Sequence, residues 1–423
     1  MSDQFSLLKT RRFLPLFLTQ YLGAFNDNIF KSALVILITY ATAEELGADP
    51  ALLVTAAAGI FILPFFLFSA IAGQIADKYS KPALIRKLKM TEFLVMALAA
   101  AGFAWGNIYF LMFVLFMMGT QSSFFGPLKY SILPDLIENK NLISANALVE
   151  AATFVAILLG TIIGGVFILK ASGVLIISVL VMVVAILGWL SSRYIPDYNI
   201  AHPNHRVSFN FSSATWRLLR QVRPQTQVFN AILGISWFWL VGFIFLAHLP
   251  LYGQSILQAN EDVVTLFLTT FSVGIGAGSL LCNKLMKSKI HSRYVPWGAL
   301  GMGLSILFFW MLSPMGLEGD TLYGIDDFFD IPHGLYLLGL LTLAAAFGGI
   351  YVVPLYTILQ TKSDAAFRSR TIAANNIINA LFMVLASVAA IVLLGYLPDV
   401  ASLFGLIGVG NILVAGLMWW RQT

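Results

Sequence analysis

Charged residues are scarce in this chain of 423 residues. Asp, Glu, Lys and Arg together make up 11% of it, and 59% of its residues are hydrophobic. Soluble domains carry about 25% charged residues. A water-soluble core cannot bury so much apolar surface, whereas a lipid bilayer accepts it. The composition therefore excludes an ordinary soluble domain and predicts an integral membrane protein.

Cysteine and catalytic motifs are also lacking. Cys282 is the single cysteine, which excludes an intramolecular disulfide framework and a zinc site of the cysteine type. The chain has no G-x-S-x-G, P-loop, HExxH or paired-cysteine motif. The carboxylates within its apolar segments are isolated from one another along the chain. We therefore expect neither an enzyme nor a bound cofactor or metal.

The apolar residues form about a dozen segments, and about 20 helical residues are enough to cross the hydrocarbon layer. The first segment follows Lys9, Arg11 and Arg12 and contains Asp27, so it is too long and too polar for a cleaved signal peptide. We predict twelve retained spans at 12–41, 51–76, 83–104, 107–127, 143–169, 173–195, 227–252, 262–286, 295–314, 333–356, 371–396 and 400–420.

Positive and negative charges lie in alternate connections between these spans. Nearly every Lys and Arg is in one set of loops, where it faces anionic lipid headgroups, so the net charge of +5 does not indicate nucleic-acid binding. Lys170 is the one basic residue in the other set, whose acidic members are Glu44, Glu45, Asp49, Glu261, Asp262, Glu318, Asp320, Asp326, Asp327, Asp330 and Asp399. Basic loops remain cytoplasmic, so we predict that both termini are in the cytoplasm.

Short sequences recur in the two halves of the chain. YSIL at 130–133 matches YTIL at 356–359, and SANAL at 144–148 matches AANNI at 373–377. Because each pair occupies the same place within its half, internal duplication is favoured over chance similarity. Parallel repeats of six helices are the architecture of major facilitator transporters.

We therefore predict an all-α membrane protein with the major facilitator fold and 12 transmembrane helices in two six-helix bundles. The N-terminal bundle would occupy 1–195 and the C-terminal bundle 226–423. Between them, 196–225 is the longest polar stretch and carries four arginines, which predicts a cytoplasmic linker.

The connection after the second span has the sequence GQIADKYSKP at 73–82, similar to the major facilitator loop signature G-x-x-x-D-R/K-x-x-R/K. Gly73 would let two helices approach closely. Asp77 would pair with a basic group or a helix N-terminus of the other half. We predict that these residues, with Lys78 and Lys81, gate the cytoplasmic side; the alternative is an ordinary basic loop. The matching loop of the second half, 283–293, is basic but has no aspartate.

Asp27 lies in the middle of the first span, where an ionisable group costs at least about 2.5–3.5 kcal/mol. Lys31 is one turn further and can pair with it, and Gln20 and Gly23 continue the same stripe. Asn26 and Asn28 flank the stripe. Such a stripe is expected to face a polar cavity and to line the substrate path. The alternative is a structural ion pair that determines helix packing.

Other polar residues lie near span ends. Asn146 and Glu150 share a face of the fifth span, and Asn379 occupies the matching region of the eleventh. We predict that they converge with the Asp27 stripe, although Glu150 is also consistent with a structural role. Lys129 either binds a phosphate or extends to the headgroups. Structural roles are predicted for Glu92 and for His248, which lies next to Leu249 and Pro250.

Three segments are similar to the bacterial lysophospholipid transporters, a branch of the major facilitator superfamily: FNDN at 25–28, GPLKYSILP at 126–134 and SANALVE at 144–150. The resemblance covers essentially the whole chain. It implies that lysophosphatidylethanolamine and lysophosphatidylglycerol move from the outer to the inner leaflet of the inner membrane, where a partner enzyme reacylates them. It also implies that Asp27 and Lys129 handle the headgroup.

This chain departs from that family in the seventh span. Some members carry an arginine in its middle, whereas here 237–249 offers only His248. The chain ends at Thr423, directly after the last predicted span, so we expect the lysophospholipid acyltransferase/acyl-carrier-protein synthetase to be a separate partner or to have been removed.

Two other functions are consistent with the sequence. The first is a proton-coupled exporter of amphipathic small molecules, in which Asp27 or Glu150 carries the proton. The second is a membrane scaffold that transports nothing and recruits an acyltransferase through Arg217, Arg220 and Arg223. Transport that collapses with an uncoupler would identify the exporter, and purified protein that moves no lipid would identify the scaffold.

Overall fold

Helices make up nearly all of the chain in the computed structural model. The structure describes residues 4–40, 50–197, 205–286, 292–314, 322–330 and 333–422. Several acidic residues of the predicted charge asymmetry, Glu44, Glu45, Asp49, Glu318 and Asp320, lie outside these residues. The thirteen longer helices within the described ranges are α1 Leu14–Tyr40, α2 Pro50–Lys78, α3 Lys81–Trp105, α4 Ile108–Ser131, α5 Leu142–Ile168, α6 Gly173–Arg193, α7 Phe211–Val222, α8 Thr226–Ser255, α9 Glu261–Met286, α10 Val295–Met311, α11 Gly334–Lys362, α12 Arg368–Leu394 and α13 Val400–Gln422.

Eleven of the helices in the described ranges are long and apolar enough to cross a membrane. They are α1–α6, α8, α9 and α11–α13, which match eleven of the twelve predicted spans. The remaining predicted span, 295–314, corresponds to the apolar helix α10, which has 17 residues. The all-helical membrane fold is confirmed, and a total of twelve spans is consistent with these helices.

The chain forms two compact units, each assembled from three segments. Unit 1 comprises Met1–Ala145, Ala156–Ile232 and Leu359–Ala380, and unit 2 comprises the remaining residues. Most of each predicted half stays together. However, Leu359–Ala380 from the second half belongs to unit 1, and Asn146–Val155 from the first half belongs to unit 2. The division into two bundles at 195 and 226 stays a prediction.

Small residues allow the helices of unit 1 to pack closely. A Cβ atom placed on Gly160 would lie 2.7 Å from the Phe25 carbonyl oxygen, and one on Gly164 would lie 2.4 Å from that of Ile29. This spacing of four residues brings α5 against α1. Ser32 completes the contact because its hydroxyl donates to the Thr161 carbonyl over 2.8 Å. The polar part of α1 is thus held in a defined orientation.

The core of unit 2 is rich in aromatic rings. Phe245 stacks on Phe404 with ring centroids 4.4 Å apart, and Phe154 stacks on Trp239 at 6.0 Å. The indole nitrogen of Trp239 donates to the Tyr356 hydroxyl over 2.9 Å. Buried aromatic rings contribute large apolar area, and a polar ring edge needs such a partner. Aromatic packing is therefore an important contact within this unit.

Candidate functional site

The polar stripe of α1 lies within unit 1, and Asp27 is its half-buried centre. One carboxylate oxygen of Asp27 accepts a hydrogen bond of 2.8 Å from the Ser122 hydroxyl on α4. The other oxygen, Oδ1, is buried and has no hydrogen-bond partner in the described part of the chain. A buried acceptor without a partner is costly in a protein interior. Asp27 can therefore accept a hydrogen bond from a bound ligand.

Lys31 does not make the predicted pairing with Asp27. Its Nζ atom lies over the Phe61 ring, 4.6 Å from the ring centroid. Within the described residues, no ion pair joins Lys31 to Asp27. A cation over an aromatic face is weakly held compared with a buried ion pair. The two opposite charges, one turn apart, therefore each keep capacity for a further partner.

A second polar cluster, which the sequence analysis did not include, lies next to this stripe. The Lys89 ammonium pairs with the Glu92 carboxylate over 2.5 Å, and both side chains are almost fully buried. Gln121 donates to Glu92 over 3.1 Å, and Asn26 does so over 3.5 Å. We call Asn26, Lys89, Glu92 and Gln121 the α3 cluster. The signal in the sequence was Lys89 three residues before Glu92 in an apolar helix.

Gly23 makes room for the α3 cluster. A Cβ atom at this position would lie 2.4 Å from Lys89 Nζ, so any side chain here would displace the ammonium. Lys89 also lies over the Phe125 ring, 4.9 Å from its centroid. Gly23, which belongs to the predicted stripe, thus leaves space for the neighbouring Lys89–Glu92 ion pair. Glu92, for which a structural role was predicted, is the acceptor that holds this cluster together.

The other substrate-binding residues predicted in unit 1 each have different surroundings. Asn28 donates to the Ala24 carbonyl of its own helix over 2.7 Å. Lys129 lies over the Tyr130 ring at 4.5 Å and is half-buried. Asn379 is buried on α12. Their predicted part in substrate binding stays a prediction.

Asn146 and Glu150 are fully buried in unit 2. The Asn146 amide donates to the Thr357 hydroxyl over 3.2 Å, so it joins α5 to α11 within that unit. His248, for which a structural role was predicted, has its Nδ1 atom 2.9 Å from the Ile244 carbonyl oxygen. This contact within one helix is typical of a histidine whose polarity is satisfied locally.

The predicted gate residue Asp77 is buried at the end of α2 and contacts the first turn of α12, within unit 1. Its carboxylate accepts from the backbone nitrogens of Ser369 at 2.9 Å and Arg370 at 3.3 Å. The Arg370 side chain adds an ion pair at 3.3 Å. Unpaired backbone N–H groups and the helix dipole make a helix N-terminus favourable for a carboxylate.

Gly73 and Lys81 belong to the same region. A Cβ atom on Gly73 would lie 2.7 Å from the Ala373 Cβ, so only glycine permits this approach of α2 to α12. Lys81 pairs with Asp135 over 2.5 Å, and Asp135 also pairs with Arg368 over 3.0 Å. Lys78 instead lies over the neighbouring Tyr79 ring at 5.5 Å. We call Gly73, Asp77, Lys81, Asp135, Arg368 and Arg370 the α2–α12 contact.

The sequence analysis missed Asp135, Arg368 and Arg370. The sequence predicted a basic group or a helix N-terminus of the other half as the partner of Asp77 without naming its residues, and in the structure the contact comes from the start of α12. A signal was present, because Arg368, Ser369 and Arg370 begin an apolar run and mark a polar helix start. Nothing in the sequence related that helix start to the loop at 73–82.

Proteins similar to this chain are transporters. The Lysophospholipid transporter LplT of Enterobacter sp. (strain 638) is 26% identical over 417 residues, which cover 95% of this chain and 94% of that protein. The Lysophospholipid transporter LplT of Citrobacter koseri is 26% identical over 419 residues, with the same two coverages.

Solved structures of the same fold include the human organic anion transporter MFSD10 (TETRAN), with a TM-score of 0.72 and 14% identity over 96% of this chain and 98% of that chain. A bacterial homologue of the iron transporter ferroportin in the outward-facing state has a TM-score of 0.71 and 13% identity over 98% of this chain and 100% of that chain. At such identities the likeness shows the fold alone. The family model described as Major Facilitator Superfamily matches residues 16–387. This multi-pass membrane protein therefore belongs to the Major Facilitator Superfamily.

Proposed function

We propose that this chain is a lysophospholipid transporter of the bacterial inner membrane. It moves lysophosphatidylethanolamine and lysophosphatidylglycerol from the outer to the inner leaflet, where a separate acyltransferase reacylates them. The observation that carries the proposal is the half-buried Asp27 in a chain similar to transporters named for lysophospholipids. One buried oxygen of Asp27 accepts no hydrogen bond from any described residue.

The chemistry of the headgroups fits the charges on α1. Each headgroup has an anionic phosphate and hydrogen-bond donors, which are an ammonium in one lipid and hydroxyls in the other. Asp27 Oδ1 would accept from those donors, and the Lys31 ammonium would leave the Phe61 ring to pair with the phosphate. Asn26 and Asn28 would border this head site, and Lys129, Asn146, Glu150 and Asn379 would lie along the inward route.

The single acyl chain requires an apolar surface. Unit 2 contains a small apolar recess, lined by aromatic and aliphatic side chains that include Phe238, Phe245, Phe271 and Met302. Flexible methionine and aromatic side chains adapt well to an alkyl chain. A polar route for the head and an apolar surface for the tail are both needed to carry an amphipathic lipid across about 30 Å of hydrocarbon.

Alternating access would proceed by making and breaking the α2–α12 contact on the cytoplasmic side. Asp77 holds the start of α12 through two backbone hydrogen bonds and one ion pair. Breaking them would release α12 from α2 and let the head leave towards the cytoplasm. The gating role predicted for Gly73, Asp77 and Lys81 rests on the α2–α12 contact, whereas Lys78 lies over the Tyr79 ring.

The test is uptake of labelled lysophosphatidylethanolamine by proteoliposomes that contain only the purified chain, with and without an imposed proton gradient. Uptake in both conditions is the expected result and would make Asp27 a headgroup residue. Uptake only with the gradient would favour a proton-coupled transporter. No uptake in either condition would contradict the proposal and favour the exporter or the scaffold.

A further inference from the structure

From residue 198 onwards, the linker between the two halves carries positive charge only. Arg206, Arg217, Arg220 and Arg223 lie between 198 and 225, and no Asp or Glu occurs in that stretch. Within it, the twelve-residue helix α7 begins after Asn210, whose side chain accepts from the Ser213 backbone nitrogen over 3.0 Å. This part of the linker therefore has a defined helical surface.

Helix α7 has one buried face. Ala214, Leu218 and Val222, spaced four residues apart, are at most 5% exposed, and α7 packs against α2 within unit 1. Burial of this face attaches the linker helix to a membrane-spanning helix. The attachment leaves the opposite face uncovered.

The opposite face combines an aromatic ring with arginines. At about 100° per residue, Trp216, Arg220 and Arg223 fall within about 60° of one another. Trp216 is 69% exposed, and both arginines are exposed. Phe209, which precedes the helix, and Phe211, its first residue, are also exposed. Tryptophan and arginine on one face are typical of helices that lie at the membrane–water interface.

The depth of α7 agrees with such a location. The backbone nitrogen of Ser208 donates over 2.8 Å to the side chain of Gln74, which lies in the last two turns of α2. Because α2 is a membrane-spanning helix, its last turns mark the boundary of the hydrocarbon layer. The segment that leads into α7 is therefore fixed at the level of the lipid headgroups.

Residues 205–208, which lead into α7, also lie next to the α2–α12 contact. The His205 ring stacks on Phe367 with centroids 5.2 Å apart. The Arg370 guanidinium lies over the same Phe367 ring, 4.8 Å from its centroid. Residues 205–208 thus contact both α2 and the turn that precedes α12, next to the Asp77–Arg370 ion pair.

We propose that α7 binds the anionic lipid surface on the basic side of the membrane. Arg220 and Arg223 pair with phosphate groups of anionic lipids, and Trp216 inserts at the headgroup level. Anionic lipid attracts such basic segments through its surface potential. Lipid binding then holds residues 205–208 against the end of α2 and against the turn that precedes α12. This inference does not depend on which substrate the protein transports.

The test uses the purified full chain with Cys282, its single cysteine, replaced by alanine, and a nitroxide attached to S213C on the exposed side of α7. The labelled protein is placed in vesicles of phosphatidylcholine alone or mixed with phosphatidylglycerol. We expect the label to lose contact with a water-soluble nickel chelate when phosphatidylglycerol is present. The variant R220Q/R223Q should abolish that change, because both arginines are exposed and their loss should leave the fold intact.

The matched control is R11Q/R12Q, which removes two exposed arginines elsewhere in unit 1 and should leave the change intact. Equal accessibility in both kinds of vesicle would overturn the proposal, as would an equal loss in the control. Protection of the label only in native membranes, and not in vesicles of pure lipid, would assign the face to a protein partner and also overturn it.

Hydrogen exchange at the Ser208 amide tests the connection to the α2–α12 contact. This amide donates to Gln74, so it exchanges only when the linker leaves α2. We expect exchange to slow several-fold in vesicles with phosphatidylglycerol, and the slowing to disappear in R220Q/R223Q. Equal exchange in both kinds of vesicle would contradict the holding of residues 205–208 by lipid.

Discussion

The two compact units differ in the side chains that they bury. Five charged side chains are buried in the described part of the chain: Asp77, Lys81, Lys89 and Glu92 in unit 1, and Glu150 in unit 2. Unit 1 balances its buried charges with ion pairs of 2.5–3.3 Å. Unit 2 packs aromatic rings and encloses an apolar recess.

This difference would match the polar head and the apolar tail of the proposed lysophospholipid substrate. Burying a charge costs several kcal/mol unless it is paired, so unit 1 keeps its charges only where partners are present. The exception is the Oδ1 oxygen of Asp27, which has no hydrogen-bond partner among the residues that the structure describes. The contrast predicts that charge changes in unit 1 affect all substrates, whereas changes in the recess of unit 2 depend on the acyl chain.

The largest effect is expected for Asp27→Asn. An amide keeps the shape but removes the negative charge that would accept from the headgroup, so lysolipid uptake should fall to the level of empty vesicles. Size-exclusion chromatography should show folded, monodisperse protein. Asp197→Asn, at an exposed carboxylate in the same unit, is the matched control and should transport normally. Normal uptake by the Asp27 variant would remove Asp27 from the head site.

Breaking the α3 cluster should have the next largest effect, on stability. Lys89→Met leaves the buried Glu92 carboxylate without its ion pair, and such losses cost about 3–5 kcal/mol. The double variant K89M/E92M should recover most of that stability. Lys140→Met breaks an ion pair whose side chains are about 70% exposed and should change stability little, because water screens exposed pairs. Thermal unfolding in detergent measures all three, and equal effects of K89M and K140M would contradict the burial argument.

A smaller effect is expected at the α2–α12 contact. Gly73→Ala would place a methyl group 2.7 Å from the Ala373 Cβ and should weaken the contact by about 1–3 kcal/mol. Gly59→Ala is the control on the same helix, because no atom lies within 4 Å of its new Cβ. Hydrogen exchange at the Ser369 amide should accelerate about tenfold or more in the first variant only. If exchange at the Ser369 amide did not accelerate, α2 and α12 would accommodate the added methyl group without weakening their contact, and the prediction would be wrong.

The smallest effect is expected in unit 2. Phe238→Leu reduces the ring surface of the apolar recess and should change the apparent affinity for lysolipid by less than tenfold. The change should vary with acyl-chain length, whereas the loss in Asp27→Asn should not. Uptake measured with lysolipids of several chain lengths gives this comparison. A chain-length dependence in both variants would remove the proposed division of head and tail between the units.

Much of the fold was predictable because it depends on local sequence. Eleven spans were predicted from apolar length alone, and the twelfth, at 295–314, corresponds to the short helix α10. Asp27 was identified because a carboxylate in the middle of an apolar span is costly wherever the helix lies. Lys89 was missed because its importance comes from Glu92, Gln121 and Asn26, which lie on three different helices.

By itself, the sequence determined that this protein is a helical membrane protein with polar residues concentrated on α1, because hydrophobicity and charge are properties of each residue. The tertiary structure alone decided which partners those residues have. Asp77 contacts the first turn of α12, and Lys31 lies over the Phe61 ring and does not pair with Asp27 in the described structure. Such pairings join residues up to 293 positions apart, and they depend on how helices pack, which no local pattern of residues records.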